Sequence, residues 1–318
     1  VRFTVATYNI HKGLSGFNRR VVVHEVRDRL QGLDPDVVFL QEVQGVHERH
    51  AGRHHDWPVH PQHEFIAGEN WRELAYGKNA VYRHGHHGNA LLSRFPILVQ
   101  ENEDISAHPF ESRGMLHCVV ELGKKLPELH CINVHLGLFE RGRQWQVRAL
   151  CERIRETVPK DAPLIIAGDF NDWRRKADRM LVGELGVVDV FKTVTGRLAR
   201  TYPSVLPVFH LDRIYARGLA VADAHVHLAF PGARISDHAA LAATFAGARG
   251  QTEAQIAQTL RFTLRQDRLH PAINALDLQM AARGSGAQSQ DGKGFRLNVV
   301  NEIWGQRDYH FETAYLDT

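Results

Sequence analysis

Polar residues of the kinds that bind cations or phosphate follow several apolar runs in this 318-residue sequence. Four of these runs are VATYNIH, DVVFLQEV, LIIAGDFND and ISDH, and the residues concerned are Asn9, Glu42, Asp169, Asn171, Asp237 and His238. Two further runs, CINVHL and HLDRIY, add His135 and Asp212. Carboxylate and amide oxygens suit Mg2+ or Mn2+ and leave room for a substrate phosphate to complete the octahedron. The pattern therefore predicts a metal-dependent site that acts on phosphate.

Each of these residues also has a simpler interpretation when it is taken alone. Glu42 could be a solvated strand end, Asp169 could cap a turn or a helix, and His135 could be a satisfied core histidine. Six such strand endings in one domain are difficult to explain by turn chemistry alone. The occurrence of all these residues together therefore favours a functional site over a set of unrelated turns, caps and solvated strand ends.

The elements that must position these residues follow from apolar periodicity. Alternation and β-branched content predict strands at residues 1–10, 36–43, 89–92, 115–122, 129–136, 164–167, 210–216 and 239–245. Apolar residues with helical spacing predict helices within 22–33 and 147–158. Neighbouring strands mixed with crossover helices suit two packed sheets with helices outside, so we expect an α/β sandwich up to about residue 245.

Composition limits the class of protein and its compartment. The hydrophobic content of 43% can supply a core, and the net charge of +3 does not indicate a general nucleic-acid coat. The three cysteines have no CxxC spacing and no even count, which argues for a reducing compartment and against a structural zinc site. No apolar run reaches the length of a membrane span. We expect a cytoplasmic protein with no integral membrane contact, and the missing initial Met leaves room for a removed leader.

The motifs TYNIH, LQEV, GNALLSR, ESRG, NVHL, GDFND, LDRIY and SDH resemble, in their order, those of the endonuclease/exonuclease/phosphatase superfamily of DNase I-like phosphohydrolases. The resemblance covers about residues 1–245, and details such as NIHKG and GDFNDWR are similar to the YbhP-like bacterial branch. It implies a four-layer α/β/β/α sandwich. The implied activity is a Mg2+-dependent phosphoesterase, with Mn2+ as an alternative ion. It would hydrolyse a phosphodiester of a nucleic acid, phospholipid headgroup or small phosphate ester by in-line attack of an activated water.

The same resemblance implies which residues hold the metal and the water. Glu42 matches the principal metal ligand, Asn9 lies beside it, and Asp237 is a nearby or water-mediated partner. Asp169 matches the carboxylate that orients or deprotonates the attacking water. Asn171 matches the amide that holds this water and a phosphate oxygen.

The remaining matches concern proton transfer and the substrate. His238 matches a histidine poised at the phosphate, and Asp212 matches the carboxylate that fixes its tautomer and raises its basicity. His135 corresponds to a leaving-group acid or phosphate donor. Arg113 matches a phosphate clamp, for which a forked guanidinium suits a tetrahedral oxyanion. Asn89, in GNALLSR, is a further predicted substrate-binding residue.

Other features leave the substrate open. Many abasic-site endonucleases have an acidic residue at the position of His11, so the resemblance to that group is weaker than the resemblance to phosphodiesterases in general. The basic residues 174–176 could attract phosphate or belong to a solvated loop. The histidine-rich stretch at 45–63 and the trio His84, His86 and His87 lack the regular spacing of a zinc site and are interpreted as polar loops.

Residues from about 246 onward resemble a different family. The segments AGARGQTEAQIAQTLRFTL, INALDLQMAARG and NEIWGQRDYHFETAYLDT resemble serpins, but most of the central sheet and the reactive-centre loop are missing. We therefore predict a phosphohydrolase domain at 1–245 followed by an incomplete serpin-like α+β segment at 246–318. The missing loop disfavours a protease inhibitor, and no protease partner is expected. The intact polar set disfavours a non-catalytic binding protein on the same fold.

Overall fold

The computed structural model describes residues 2–15, 20–124, 126–228 and 235–248. All of them belong to one compact unit, Val1–Gln251. The serpin-like segment predicted at 246–318 lies outside the described residues except for its first three, so the domain boundary stays a prediction. Within the described residues, no helix is long and apolar enough to cross a membrane.

Two six-stranded sheets form the centre of the unit. The strands of the first sheet are β1 (Arg2–Asn9), β2 (Val37–His47), β3 (Glu73–Tyr82), β4 (Gly85–Ser93), β11 (Leu219–His227) and β12 (Ala240–Ala248). Their order is β11-β12-β1-β2-β4-β3. Strand β1 is parallel to β2 and antiparallel to β12, so the segment before β12 lies at the carboxyl end of β1.

The second sheet contains β5 (Ile97–Asp104), β6 (Gly114–Val120), β7 (Leu129–His135), β8 (Leu164–Asp169), β9 (Val188–Asp189) and β10 (Asp212–Arg217). Its order is β5-β6-β7-β8-β10-β9. Strands β7 and β8 are parallel, and β10 is antiparallel to β8. The carboxyl ends of β7 and β8 therefore meet the start of β10 at one edge of the sheet.

The described residues contain six α-helices. They are α1 (Val23–Leu33), α2 (Glu48–Arg53), α3 (Gln62–Ala67), α4 (Glu140–Thr157), α5 (Lys176–Leu185) and α6 (Val190–Thr195). Side chains such as Phe3, Leu116 and Ile165 pack between the sheets. The apolar stripe of α4, with Leu150 and Ile154, packs on the outside of the second sheet. The predicted four-layer α/β/β/α sandwich is confirmed.

The differences from the predicted elements have a physical cause. Strands β3, β5 and β11 were not predicted, because they are edge strands with mostly exposed or half-exposed side chains and no clear alternation. The interpretation of 45–63 as a polar loop is wrong, since helix α2 lies within this stretch. The last predicted strand, 239–245, continues to Ala248.

Candidate active site

Three predicted residues lie side by side at the edge of the second sheet. Asp169 ends β8 and is the register partner of His135 on β7 and of Asp212 on β10. Paired residues point to the same face of a sheet. All three side chains are buried. The topology of the sheet therefore brings two carboxylates and an imidazole together at one point.

His238 connects these two carboxylates. Its Nδ1 lies 2.8 Å from Asp212 Oδ2 in a hydrogen bond, and its Nε2 lies 3.7 Å from Asp169 Oδ2. Because a carboxylate only accepts, Nδ1 of His238 carries a proton. Burial alone would lower the pKa of His238, but the charges of Asp212 and Asp169 outweigh it and raise this pKa to about 10. The ring is held in one orientation with Nε2 towards Asp169.

Backbone and amide groups fix the Asp169 carboxylate. The backbone N–H of Asn171 donates to Asp169 Oδ1 at 2.9 Å, and the side-chain Nδ2 of Asn9 donates to Asp169 Oδ2 at 3.1 Å. Burial raises the pKa of Asp169 to about 6. His135 Nε2 lies 3.6 Å from Asp169 Oδ2, and burial followed by the charge of Arg113 lowers the pKa of His135 well below its usual value. The site therefore contains a neutral imidazole on one side of the carboxylate.

A second group of oxygen atoms comes from the first sheet. Glu42 occupies an irregularity in the β2–β4 pairing and has a φ of 55°, in the left-handed region. Its Oε2 lies 3.9 Å from Lys12 Nζ, and Asp237 Oδ1 lies 3.4 Å from His11 Nδ1. Asn9 Oδ1 accepts a hydrogen bond from the His11 amide at 3.1 Å. Both carboxylates thus have a positive or protonatable group within 4 Å.

These oxygen atoms fit a divalent cation. Glu42 and Asp237 line a cavity of about 720 Å³, and Asn9 lies at the end of the neighbouring strand β1. Carboxylate and amide oxygens are the donors that Mg2+ and Mn2+ prefer. The placement of the Lys12 ammonium beside Glu42 shows that positive charge is accommodated there. The predicted metal set is therefore chemically suitable.

Asp169, Asp212 and His238 form another set whose potential ligand atoms lie within 4.8 Å of one another. A divalent ion at this set would need an unprotonated nitrogen of His238 directed at the ion. Nδ1 is occupied by its hydrogen bond to Asp212, and Nε2 faces the Asp169 carboxylate. This hydrogen-bonding pattern suits proton transfer better than metal binding.

The two predicted substrate-binding residues have different positions. Arg113 lines the cavity, and its buried Nε has no hydrogen-bond partner among the described residues. Asn89 does not line this cavity. It is buried, and its Nδ2 donates to the carbonyls of Gly114 and Asn133 at 3.1 and 3.4 Å. The prediction that Asn89 binds substrate is therefore corrected, because its donor group is used by the backbone.

One wall of the cavity was not predicted. It is apolar and aromatic, and it consists of Leu138, Trp173, Tyr202, Phe209 and Leu211. Trp173 directly follows the GDFND motif, which was the one sequence signal for this wall. Lys12 and His87, which also line the cavity, were missed as well. The cavity therefore joins a polar catalytic edge to an apolar wall.

Comparisons with known proteins agree with this architecture. A model of the endonuclease/exonuclease/phosphatase family matches residues 6–238. The uncharacterized protein YbhP of Escherichia coli (strain K12) is 44% identical over 244 residues, which are 76% of this chain and 95% of that protein.

Solved structures show the same fold. An endonuclease/exonuclease/phosphatase from Beutenbergia cavernae DSM 12333 superposes with a TM-score of 0.61 at 18% identity, covering 78% of this chain and 72% of that one. Truncated Caenorhabditis elegans TDP2 superposes with a TM-score of 0.57 at 18% identity, covering 77% and 98%.

The fold and the family match define a phosphoesterase-type protein: the chain belongs to the endonuclease/exonuclease/phosphatase family. Within this family it is similar to the bacterial protein YbhP over almost the whole length of YbhP. Members of this family are typically dependent on a divalent metal ion. A serpin family model matches residues 233–318, which shows a similarity of that segment alone.

Proposed function

We propose that the protein is a Mg2+-dependent phosphodiesterase that hydrolyses its substrate by in-line attack of an activated water. The observation that supports this most is the buried Asp169–His238–Asp212 group at the edge of a cavity that also contains Glu42 and Asp237. A carboxylate, an oriented imidazole and a set of oxygen ligands are the groups that phosphodiester hydrolysis needs.

Asp169 orients and deprotonates the attacking water. Its two oxygens are held by Asn171 and Asn9, so the carboxylate has a fixed direction towards the cavity. Asn171 lines the cavity, and its Nδ2 donates to the Leu136 carbonyl at 2.9 Å; in this proposal its second N–H and its Oδ1 hold a phosphate oxygen and the water. His238, kept in place by Asp212, presents Nε2 to the reacting phosphate and assists the proton transfer.

The remaining polar residues bind the phosphate, the leaving group and the ion. Arg113 clamps the phosphate oxygens with its guanidinium, and His135, as a neutral imidazole, donates a hydrogen bond to the leaving oxygen. Glu42 would hold the metal ion, Mg2+ or alternatively Mn2+, with Asn9 and Asp237 beside it. When bound, such an ion neutralises charge that develops on the phosphate.

The proposed function covers the phosphodiesters of nucleic acids, phospholipid headgroups and small phosphate esters. The proposed compartment is the cytoplasm, because Cys118, Cys131 and Cys151 are all free and buried. The proposed domain organisation remains a phosphohydrolase domain at 1–245 and a partial serpin-like segment at 246–318. A non-catalytic binding protein is less well supported, because most of the predicted polar residues line one cavity, with Asp212 hydrogen-bonded to His238 behind it.

Hydrolysis of bis-p-nitrophenyl phosphate in the presence of Mg2+ tests this function. We expect EDTA to abolish the activity, and Asp169→Asn to reduce kcat by about 10²–10⁴-fold because the base is lost. Asp189→Asn is the matched control, since Asp189 is a buried carboxylate that caps α6 and does not line the cavity. If the chelated enzyme and the Asp169→Asn variant retained the wild-type rate, the proposed function would be wrong.

A further inference from the structure

Large apolar side chains are exposed on four loops around the mouth of the catalytic cavity. The loops connect β5 to β6, β7 to α4, β8 to α5 and α6 to β10, and all of them leave the second sheet at the edge where Asp169 lies. Their exposed apolar residues are Phe110, Leu138, Phe139, Trp173, Val205, Leu206, Val208 and Phe209. A concentration of exposed apolar groups at one site marks an interaction surface. We call these eight residues the apolar rim.

The most exposed part of the longest loop is a tight tip at residues 203–208. Leu206 is 73% exposed and Val205 is 59% exposed. The backbone below them is paired, because the Phe209 amide donates to the Tyr202 carbonyl at 2.8 Å and the Leu206 amide donates to the Pro203 carbonyl at 3.0 Å. Hydrogen bonds therefore hold the tip in a fixed shape while its aliphatic side chains face outward.

The apolar rim continues into the cavity. Leu138, Trp173 and Phe209 are partly exposed at the surface and also line the cavity, where Tyr202 lies beside the catalytic His238 with ring centroids 5.0 Å apart. A ligand bound on the rim therefore has an uninterrupted apolar path to the reacting groups. This continuity favours a substrate that carries both an apolar part and a phosphodiester.

The charges on the same four loops are positive where they are exposed. Arg174, Arg175, Arg197 and Arg200 are all exposed. The carboxylates on these loops face inward: Asp172 is buried beside Arg143 and Arg213, and Glu111 accepts a hydrogen bond from Gln146. A second cavity of about 480 Å³ is lined mainly by basic side chains, among them Arg175, Arg197 and Arg200, with Asp178 as its one carboxylate. The charge of the loops thus complements a negatively charged surface.

We propose that the apolar rim docks this enzyme on a membrane surface that contains anionic phospholipid, and that its substrate is the headgroup phosphodiester of a phospholipid. The proposal rests on the proposed function. Aliphatic side chains such as Val205 and Leu206 can enter the boundary between headgroups and acyl chains, while the flanking arginines bind lipid phosphates. The exposed apolar side chains of the tip are aliphatic, Val205, Leu206 and Val208, and they offer no ring on which a nucleic-acid base could stack.

Co-sedimentation with vesicles tests the docking. The full chain is mixed with vesicles of phosphatidylcholine alone or with phosphatidylglycerol added, and wild type is compared with Leu206→Asp. Leu98→Asp is the matched control, because Leu98 is 48% exposed at the start of β5, at the opposite end of the second sheet. We expect wild type and Leu98→Asp to bind the anionic vesicles, and Leu206→Asp to bind them at least about tenfold more weakly.

Three further results separate this proposal from its alternatives. Leu206→Asp should hydrolyse bis-p-nitrophenyl phosphate at the wild-type rate, since Leu206 does not line the catalytic cavity. Wild type that binds the vesicles but does not hydrolyse this ester would contradict the proposed function and leave the docking intact. Equal sedimentation of wild type and Leu206→Asp would overturn the docking. It would also be overturned if Leu206→Asp weakened binding to duplex DNA rather than to vesicles, or if it only dissociated a dimer in gel filtration.

Discussion

Replacing Asn133 by leucine removes a buried amide that joins the two sheets beneath the active site. Asn133 lies on β7, and its Nδ2 donates to the carbonyls of Leu40 at 3.0 Å and Ala90 at 2.8 Å. Its Oδ1 accepts a hydrogen bond from Gln41 Nε2 at 2.8 Å. Leu40 and Ala90 are the last regular pair of β2 and β4 before the irregularity that contains Glu42. The amide of Asn133 therefore stabilises the place where Glu42 leaves the regular strand.

The loss of stability can be worked out from these contacts. The Asn133→Leu variant removes one hydrogen bond from each of two buried carbonyls and from one buried amide group, and each loss costs about 1–3 kcal/mol. Burial of the leucine side chain returns about 1.5–3 kcal/mol. The midpoints of these ranges, about 6 kcal/mol for the three groups and about 2 kcal/mol for the leucine, give a net loss of about 4 kcal/mol, which is a large part of the roughly 5–15 kcal/mol that stabilises a typical domain. We therefore expect a much lower free energy of unfolding.

Urea unfolding of the full chain, followed by circular dichroism, measures this difference. Asn102→Leu is the control, because Asn102 is exposed on β5 and its Nδ2 donates to Asn79 Oδ1 at 3.1 Å without burial. We expect the control to change the free energy of unfolding by less than about 0.5 kcal/mol. If Asn133→Leu also lay within about 1 kcal/mol of wild type, the lost hydrogen bonds would not carry the cost assigned to them.

Two further predictions concern the catalytic group and a histidine pair. Asp212→Asn weakens a hydrogen bond to charged His238 that is worth about 1.5–3 kcal/mol, so kcat should fall about 10–150-fold in the bis-p-nitrophenyl phosphate assay. The exposed Asp223→Asn should not change it, and a fall below about twofold for Asp212→Asn would refute the role. His117 Nε2 lies 3.0 Å from Nδ1 of His130 on β7. Burial lowers the pKa of His117 to about 4. Between pH 4 and 6.5 the unfolded chain therefore binds more protons at this histidine than the folded chain does. The contribution of His117 to the free energy of unfolding is present above pH 6.5 and is lost as the pH falls towards 4, by at most about 3 kcal/mol. His117→Gln should flatten the pH dependence of stability, whereas the exposed His55→Gln should leave its slope unchanged.

The residues at strand ends were predictable because the central strands are buried. Buried strands read as apolar runs, and the polar residue that follows each run then stands out. Parallel pairing of β1 with β2 and of β7 with β8 gathers these ends at one edge. Asp169, His135 and Asp212 were therefore placed together correctly, although their chemical roles stay a proposal.

The apolar wall and the position of Asn89 could not be predicted in the same way. Tyr202 and Phe209 lie on a long loop without periodicity, and only the packed structure shows that they face the cavity. Asn89 was assigned from a motif, but its orientation depends on which carbonyls its neighbours on β6 and β7 leave unpaired. Tertiary packing decides whether a side-chain amide binds a ligand or a backbone carbonyl, so a motif alone cannot predict it.

The exposed tip of the apolar rim is also connected to the catalytic segment. Ser204, within the tip, donates from its backbone N–H to the Asp237 carbonyl at 2.7 Å and from its hydroxyl to the Ser236 carbonyl at 2.6 Å. Ser236 in turn donates from Oγ to the Asn9 carbonyl at 2.7 Å, and the Asn9 amide holds Asp169. A series of hydrogen-bonded residues thus joins the tip to Asp169, the proposed base. The tip and the segment that carries Asp237 are therefore parts of one hydrogen-bonded unit, so the loop that would dock on a surface is fixed in position relative to the proposed site.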